Sequence, residues 1–158
     1  MDKRYYIAYG SNLHIEQMLT RCPGARIVGT SKVEGYRLLF KGSRTGSYLT
    51  IEPAEDRSVE VGVWEVTPDD EQRLDYYEGF PRFYYKKDFI LPVKGIKSGK
   101  IRDKKVFVYI MREDSRIGLP SETYFSVCAE GFRRFGFDTA ALVEALAFSG
   151  EALANEGV

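Results

Sequence analysis

The sequence predicts an α+β protein built on a small, mixed and strongly curved β-sheet or barrel, with helices packed outside it. Its predicted elements follow the order strand, helix, several strands, short helix, two strands, two helices, which lacks the regular alternation of a doubly wound sheet. Aromatic residues make up 14% of the chain, with 11 Tyr and 10 Phe, and aromatic side chains favour strands. The length of 158 residues suits one hydrophobic core. We therefore expect a single domain over residues 1–150 and a flexible tail over 151–158.

Charge and composition exclude several classes of function. The 23 basic and 23 acidic residues cancel, which argues against bulk attraction to nucleic acid or to an anionic membrane. No apolar run approaches a membrane span, and the N-terminus lacks the apolar stretch of a signal peptide. Cys22 and Cys128 show no metal-type spacing, so we expect reduced thiols in the cytoplasm, with a disulfide left open. His14 is the single histidine, which argues against a zinc site or a Ser–His pair.

The first half of the chain contains mostly extended segments. A strand ends at Gly10, and Asn12 is predicted to cap a helix that Cys-Pro-Gly ends at residues 22–24. The predicted elements here are a strand over 3–9, a helix over 13–21, an extended stretch over 26–40 interrupted near Gly35, and strands over 48–54 and 59–66 joined by an EDRS turn.

The second half begins with the most clearly delimited helix, in TPDDEQRLDYYEGF over residues 67–80. Thr67 is a good N-cap, Pro68 suits the first helical position, and Gly79 follows the last turn. The remaining predictions are strands over 83–93 and 100–111 that form a hairpin, a helix from Ser121 to Phe135, and a helix over 138–148.

Glu78 is the first candidate for chemistry. It lies four residues after Leu74, the large aliphatic residue of its helix, so both side chains point toward the core or a cleft beside it. Burial and the negative end of the helix dipole both raise the pKa of a carboxyl group there. A raised pKa suits a residue that must take a proton near neutral pH. The alternative is an exposed Glu at a helix end, the commoner situation for this residue type.

The second candidate is the glycine turn in YGSN, residues 9–12. A strand delivers this turn to a helix N-terminus, where free backbone N–H groups can hold a carboxylate or a developing oxyanion. Gly10 permits backbone conformations that other residues avoid. The spacing fits neither a dinucleotide fingerprint nor a phosphate-binding loop. An ordinary strand-to-helix junction is the competing interpretation, and the motif alone is weak evidence.

Together the two motifs resemble the γ-glutamylcyclotransferase-like family, which includes the γ-glutamylamine cyclotransferases. The resemblance covers most of residues 5–130. It is carried by YIAYGSNL (6–13), GVWEV (62–66), LDYYEGFPRFYYKK (74–87), VFVYIM (106–111) and LPSETY (119–124).

The resemblance implies a small mixed α/β barrel and an intramolecular reaction. The free α-amine of a γ-glutamyl group attacks its own γ-amide carbonyl, closes a five-membered ring, and releases 5-oxoproline with an amine or amino acid. It implies no cofactor or metal, because the substrate carries the nucleophile. It also implies a small-molecule γ-glutamyl-type partner and a monomer or homodimer. We expect no nucleic-acid or membrane partner.

The resemblance also implies roles for individual residues. Glu78 matches the general acid/base, and the loop from Tyr9 through Gly10 and Ser11 to Asn12 matches the substrate loop. The other residues that the resemblance places at the substrate are Tyr6, Ile7 and Ala8, which lead into the pocket, Tyr84 after the acidic residue, with Tyr85 as a less favoured alternative, and Tyr124, which closes the site. Core packing is the alternative for each tyrosine. A solvated surface charge is the favoured interpretation of Arg82, and contact with the substrate carboxylate is its alternative.

Two rival functions stay open at this point. A binding module of the same fold would keep the pocket without the chemistry, and the presence of Glu78 argues against it. A related amide cleavage or acyl transfer on a small molecule would use the same groups. The sequence does not identify the leaving group.

Overall fold

The computed structural model describes residues 2–43 and 46–156. Within these residues, six strands form one sheet: β1 (Arg4–Ala8), β2 (Arg26–Ser43), β3 (Gly46–Val66), β4 (Tyr84–Gly95), β5 (Ile101–Met111) and β6 (Arg116–Ile117). The same ranges contain four α-helices, which lie outside the sheet: α1 (Ile15–Arg21), α2 (Pro68–Glu78), α3 (Glu122–Phe135) and α4 (Ala140–Glu156). A 3₁₀ turn, Ser11–Leu13, connects β1 to α1.

Five strands close into a barrel in the order β3-β1-β5-β4-β2, and β2 pairs with β3 to complete the ring. The β1–β5 pair is parallel and the others are antiparallel, so the sheet is mixed. The short strand β6 adds to the outer part of β2. This architecture confirms the predicted α+β class and the strongly curved sheet.

The ring closes through a short contact between β2 and β4. Only Gly29 with Gly95 and Thr30 with Lys94 are paired there. A Cβ atom on Gly29 would lie 2.2 Å from the carbonyl oxygen of Lys94, so only glycine lets the two backbones approach this closely.

Strands β2 and β3 form a long hairpin with an internal bulge. Glu34 pairs with Ser58 and Tyr36 pairs with Pro53, so the segment 54–57 faces only Gly35. Gly35 and Asp56 have positive φ values of 77° and 60°. The prediction of two strands separated by an EDRS turn was therefore wrong. The chain bulges at this point and continues as one strand, because both sides of the hairpin stay paired.

The core fills the barrel and the space beneath the helices. Its five largest fully buried side chains are all aromatic: Trp64, Tyr109, Phe40, Phe107 and Phe132. Further aromatic side chains belong to the buried cluster or pack against it. The high aromatic content is therefore largely core packing, as strand-rich cores favour. Of the described helices, none combines the length and apolar character that crossing a membrane requires.

The predicted caps are present in α2, whereas the cap of α1 differs from the prediction. Helix α2 begins with a capping box between Thr67 and Asp70 and ends at Gly79, whose φ is 65°. Helix α1 is capped by His14, whose side chain accepts a hydrogen bond from the Gln17 N–H, so the predicted Asn12 cap was wrong.

Helix α4 extends beyond the predicted span of 138–148 and continues to Glu156. The buried Ser149 hydroxyl accepts a hydrogen bond of 2.9 Å from the Phe40 N–H and joins this helix to β2. Residues 151–156 are thus helical, and residues 157–158 lie outside the described part of the chain. The flexible tail over 151–158 stays a prediction.

Candidate active site

A cavity of about 360 Å³ opens where β1, α2 and α3 converge on the end of the barrel. Its lining is mainly aromatic and brings together segments that are far apart in sequence. The lining residues are Tyr6, Tyr9, Gly10, Ser11, Asn12, Tyr48, Leu49, Tyr76, Tyr77, Glu78, Gly79, Phe83, Tyr84, Tyr109 and Tyr124. The cavity thus contains both sequence motifs, YGSN and LDYYEG.

Glu78 is the one charged residue among the described residues that line the cavity. It is the last residue of α2, and Leu74, one turn earlier, is fully buried. As a whole residue Glu78 is half-buried, and it forms part of the cavity wall. Burial raises its pKa to about 8, and the nearby Arg21 guanidinium partly opposes that rise. A carboxyl group with this pKa can exchange protons near neutral pH.

The YGSN loop presents a short run of free backbone N–H groups beside the cavity. The first hydrogen bonds of the 3₁₀ turn run from the Leu13 N–H to Gly10 O and from the His14 N–H to Ser11 O. The amides of residues 10–12 precede these bonds and have no partner within the turn. They are available to an acceptor in the cavity.

Little space surrounds Gly10 on the side of the cavity. Its φ is −133° and its ψ is −127°, so its backbone is neither left-handed nor regularly extended. A Cβ atom at this position would lie 3.3 Å from the Tyr124 hydroxyl and 3.4 Å from Leu49 Cδ1. The glycine therefore lets the loop approach the opposite wall of the cavity closely.

Asn12 fixes the loop through three groups. Its side-chain amide donates to the Tyr6 hydroxyl at 2.9 Å, its side-chain oxygen accepts from Arg21, and its backbone carbonyl accepts from Trp64 Nε1 at 3.1 Å. Arg21 also stacks on the ring of Tyr77, 3.5 Å from the ring centroid. These contacts connect the loop to the end of α2 that carries Glu78.

The two neighbouring tyrosines of β4 point to different places. Tyr84 is buried, lines the cavity and donates to the Leu49 carbonyl at 2.8 Å. Tyr85 instead bonds to the exposed Glu113, away from the cavity lining. Tyr124 lines the cavity, and its hydroxyl accepts a hydrogen bond of 3.1 Å from the Leu49 N–H. Of the two alternatives after Glu78, the structure therefore brings Tyr84 to the site.

Two predicted substrate residues do not reach the cavity. Ile7 and Ala8 are buried in β1 and are absent from the cavity lining, because their side chains enter the core. Arg82 is exposed and also lies outside the lining. The loops at 42–47 and 113–120 contribute no described residue to it, and residues 44–45 fall outside the described ranges.

Sequence reasoning missed several lining residues, and Tyr109 is the most informative of them. Its hydroxyl donates a hydrogen bond of 2.6 Å to Asp75 Oδ1 on α2. The signal for Tyr76, Tyr77 and Gly79 was present in the LDYYEG motif that surrounds Glu78. No local signal identified the others, which are Tyr48, Leu49 and Phe83, together with Tyr109 itself.

Both cysteines are buried and unpaired. Burial raises the pKa of the Cys22 thiol to about 11 and that of the Cys128 thiol to about 12. Neither thiol is therefore activated as a nucleophile. Within residues 2–43 and 46–156, no three His, Cys, Asp or Glu side chains gather as a metal site would need.

The model of one protein family matches residues 6–126, and that family is described as gamma-glutamyl cyclotransferase, AIG2-like. This match spans most of the chain. The chain belongs to the γ-glutamyl cyclotransferase, AIG2-like family. The resemblance inferred from YGSN and LDYYEG is thereby confirmed. None of the curated proteins compared with the chain gives a significant match.

Solved structures with the same fold agree with this assignment. A structure described as a gamma-glutamyl cyclotransferase superposes with a TM-score of 0.73 at 22% identity, covering 91% of this chain and 86% of that one. An uncharacterized human protein gives a TM-score of 0.71 at 22% identity, covering 96% and 86% of the two chains. A yeast cyclotransferase described as specific to glutathione gives 0.62 at 12% identity, covering 94% and 96%.

Membership of this family indicates a cyclotransferase-type enzyme that acts on small γ-glutamyl molecules. The identities to the solved structures are low, so these similarities establish the fold. The substrate and the chemical steps therefore have to be inferred from the residues of the candidate site.

Proposed function

We propose that this protein converts a γ-glutamyl amide into 5-oxoproline and releases an amine or amino acid. The observation that carries the proposal is that Glu78, a carboxyl group with a pKa of about 8, lines the same cavity as the YGSN loop. Family membership supplies the reaction class, and this arrangement supplies groups for its individual steps.

The first step is removal of a proton from the substrate α-ammonium. Glu78 in its carboxylate form accepts this proton, and the neutral amine becomes the nucleophile. Because the pKa of Glu78 is raised to about 8, its basicity approaches that of an α-amine, so the transfer costs little free energy.

The second step is ring closure. The amine nitrogen forms a bond to the γ-carbonyl carbon, and the carbonyl π electrons move to the oxygen. The amides of residues 10–12 stabilise this oxyanion, as preorganised backbone donors do in other acyl-transfer sites. Binding in the cavity holds the two reacting groups together, and such proximity supplies much of the acceleration.

The third step breaks the original amide bond. The oxyanion re-forms the carbonyl, the bond to the leaving nitrogen breaks, and Glu78 returns a proton to that nitrogen. Glu78 is then a carboxylate again and takes the second proton from the ring nitrogen, which becomes the neutral N–H of 5-oxoproline. That proton passes to the released amine, which leaves as an ammonium ion, and Glu78 ends as the carboxylate with which it began. These steps balance with the substrate and the residues named here, without a cofactor.

We also propose that the protein works in the cytoplasm. Cys22 and Cys128 are both unpaired, and unpaired thiols persist in a reducing compartment.

The test is a mass-spectrometric assay for 5-oxoproline on a panel of γ-glutamyl amino acids, γ-glutamylamines and glutathione. Each active substrate is then compared with its α-N-acetyl derivative, which keeps the amide bond but lacks the nucleophile. We expect 5-oxoproline from at least one free substrate and none from its acetylated form. Amine release from the acetylated substrate would instead indicate ordinary amide hydrolysis, and silence on the whole panel would refute the proposal.

A further inference from the structure

Three tyrosine hydroxyls in the cavity wall already give their protons to protein acceptors. Tyr9 donates to the Tyr109 carbonyl at 2.8 Å, and Tyr84 donates to the Leu49 carbonyl at 2.8 Å. Tyr109 donates to Asp75 Oδ1 at 2.6 Å. Because a tyrosine hydroxyl has one proton, each of these three groups can only accept a hydrogen bond from a ligand.

The hydroxyl of Tyr6 differs from these three, because it can still donate a hydrogen bond. Its hydroxyl accepts a hydrogen bond from the Asn12 side-chain amide and keeps its own proton for a further partner. The free amides of residues 10–12 lie in the same part of the site and are donors as well. The cavity therefore has a donor side at the YGSN loop and an acceptor side formed by Tyr9, Tyr84 and Tyr109.

The acceptor side also has the electrostatic character of a cation site. Tyr9, Tyr84 and Tyr109 line the same cavity as Glu78. Burial raises the pKa of all three, and the negative charge of Glu78 adds to the rise in each, as it does for Tyr6. No Lys or Arg is among the described residues that line the cavity. A ligand group with positive charge and several N–H bonds fits these surroundings.

Asp75 determines the direction in which the Tyr109 hydroxyl donates its proton. It lies on α2, outside the cavity lining, and its carboxylate is paired with Lys86 at 2.8 Å. A carboxylate can only accept, so Tyr109 must direct its proton away from the cavity. Burial, and then the hydrogen bond to Asp75, raise the pKa of Tyr109 far above its ordinary value, so this hydroxyl remains protonated.

We propose that Tyr9, Tyr84 and Tyr109 form the subsite for the substrate α-ammonium beside Glu78, and that Asp75 is a positioning residue that keeps Tyr109 an acceptor. This inference rests on the proposed function, because the γ-glutamyl group supplies the ammonium. It gives Asp75, the second residue of the LDYYEG motif, a role that the motif alone does not explain.

The test uses L-glutamate and glutarate, which differ only in the α-ammonium group. Calorimetry measures the binding of both to wild type, Tyr109→Phe, Asp75→Asn and the double variant. We expect wild type to prefer L-glutamate, and each single variant to reduce that preference roughly tenfold, as loss of one hydrogen bond to a charged group would. The double variant should lose no more than Tyr109→Phe, because Asp75 acts through Tyr109.

Glu71→Gln is the matched control. Glu71 also pairs with Lys86, at 2.6 Å, whereas the hydrogen bond of the Tyr109 hydroxyl goes to Asp75. This variant should keep the preference for L-glutamate even where it lowers the melting temperature. Equal binding of the two ligands to wild type, an unchanged preference in Tyr109→Phe or Asp75→Asn, or the same loss in Glu71→Gln would each overturn the inference. The 5-oxoproline assay reports separately on the proposed function, so the two failures can be distinguished.

Discussion

Leu74 and Glu78 lie one turn apart on the same face of α2, and the complete burial of the first brings the second into the cavity wall. The same packing that stabilises the helix therefore raises the pKa of the carboxyl group. A functional group placed in this way should weaken the fold at the pH where the enzyme works, and this cost can be measured.

Glu78→Gln should stabilise the protein, and increasingly so as the pH rises. The pKa of Glu78 is about 8 in the folded state against 4.5 for an ordinary Glu, so between these values the folded chain keeps a proton that the unfolded chain releases. Stability therefore falls with pH across this window in wild type, and glutamine removes that contribution. Thermal melts of both proteins from pH 4 to pH 9 should show melting temperatures that diverge by a few degrees. A constant difference across that range would contradict the raised pKa.

The pH dependence of kcat/KM should report the same carboxyl group. We expect activity to rise with pH up to about 8, because the base must be ionised. Arg21→Gln should move this rising limb of the pH profile to higher pH, since the Arg21 guanidinium lowers the pKa of Glu78. Arg21→Lys, which retains the positive charge, is the control and should move it less. A limb that stays in place in Arg21→Gln would show that the guanidinium charge does not act on the base.

Tyr84→Phe and Tyr85→Phe form a matched pair of neighbouring substitutions. Tyr84 lines the cavity, whereas Tyr85 bonds to the exposed Glu113 outside it. Loss of the Tyr84 hydroxyl should lower kcat/KM about tenfold, as expected for one hydrogen bond to a charged group, and loss of the Tyr85 hydroxyl should change it less than about twofold. Steady-state kinetics on the best substrate of the panel measures both. Equal effects would mean that β4 presents these side chains differently from the structure.

Closure of the barrel should depend on Gly29. A Cβ atom there would lie 2.2 Å from the Lys94 carbonyl, so Gly29→Ala must push β2 and β4 apart and should cost about 1–3 kcal/mol of unfolding free energy. A Cβ atom at Gly150 on α4 would meet no neighbouring group within 4 Å, so Gly150→Ala should stabilise by about 0.5–1 kcal/mol. Urea unfolding measures both variants. Similar changes in unfolding free energy for Gly29→Ala and Gly150→Ala would rule out the close approach of β2 and β4 at Gly29.

The features predicted correctly from the sequence are those set by local signals. The caps of α2 and the Leu74–Glu78 spacing act within a few residues, and both are present in the fold. Asn12 was misassigned as a cap because Tyr6 and Arg21 compete for its side chain. These partners meet Asn12 only after the chain has folded.

Long-range pairing explains the remaining differences. Tyr109 reaches the cavity because β5 pairs in parallel with β1, a register that no local pattern encodes. Ile7 and Ala8 belong to the same motif as Tyr6 and Tyr9, yet their side chains fill the core. Both sequence motifs therefore line one cavity, whereas the barrel determines which of their side chains face it.

The most direct test of the account compares 5-oxoproline release by wild type, Glu78→Gln and Glu151→Gln on one active γ-glutamyl substrate. Glu151 is exposed on α4 and serves as the matched control. We expect Glu151→Gln to match wild type and Glu78→Gln to lose about 10²- to 10⁴-fold in kcat while remaining folded. Full activity in Glu78→Gln would contradict the central claim that this carboxyl group transfers the proton.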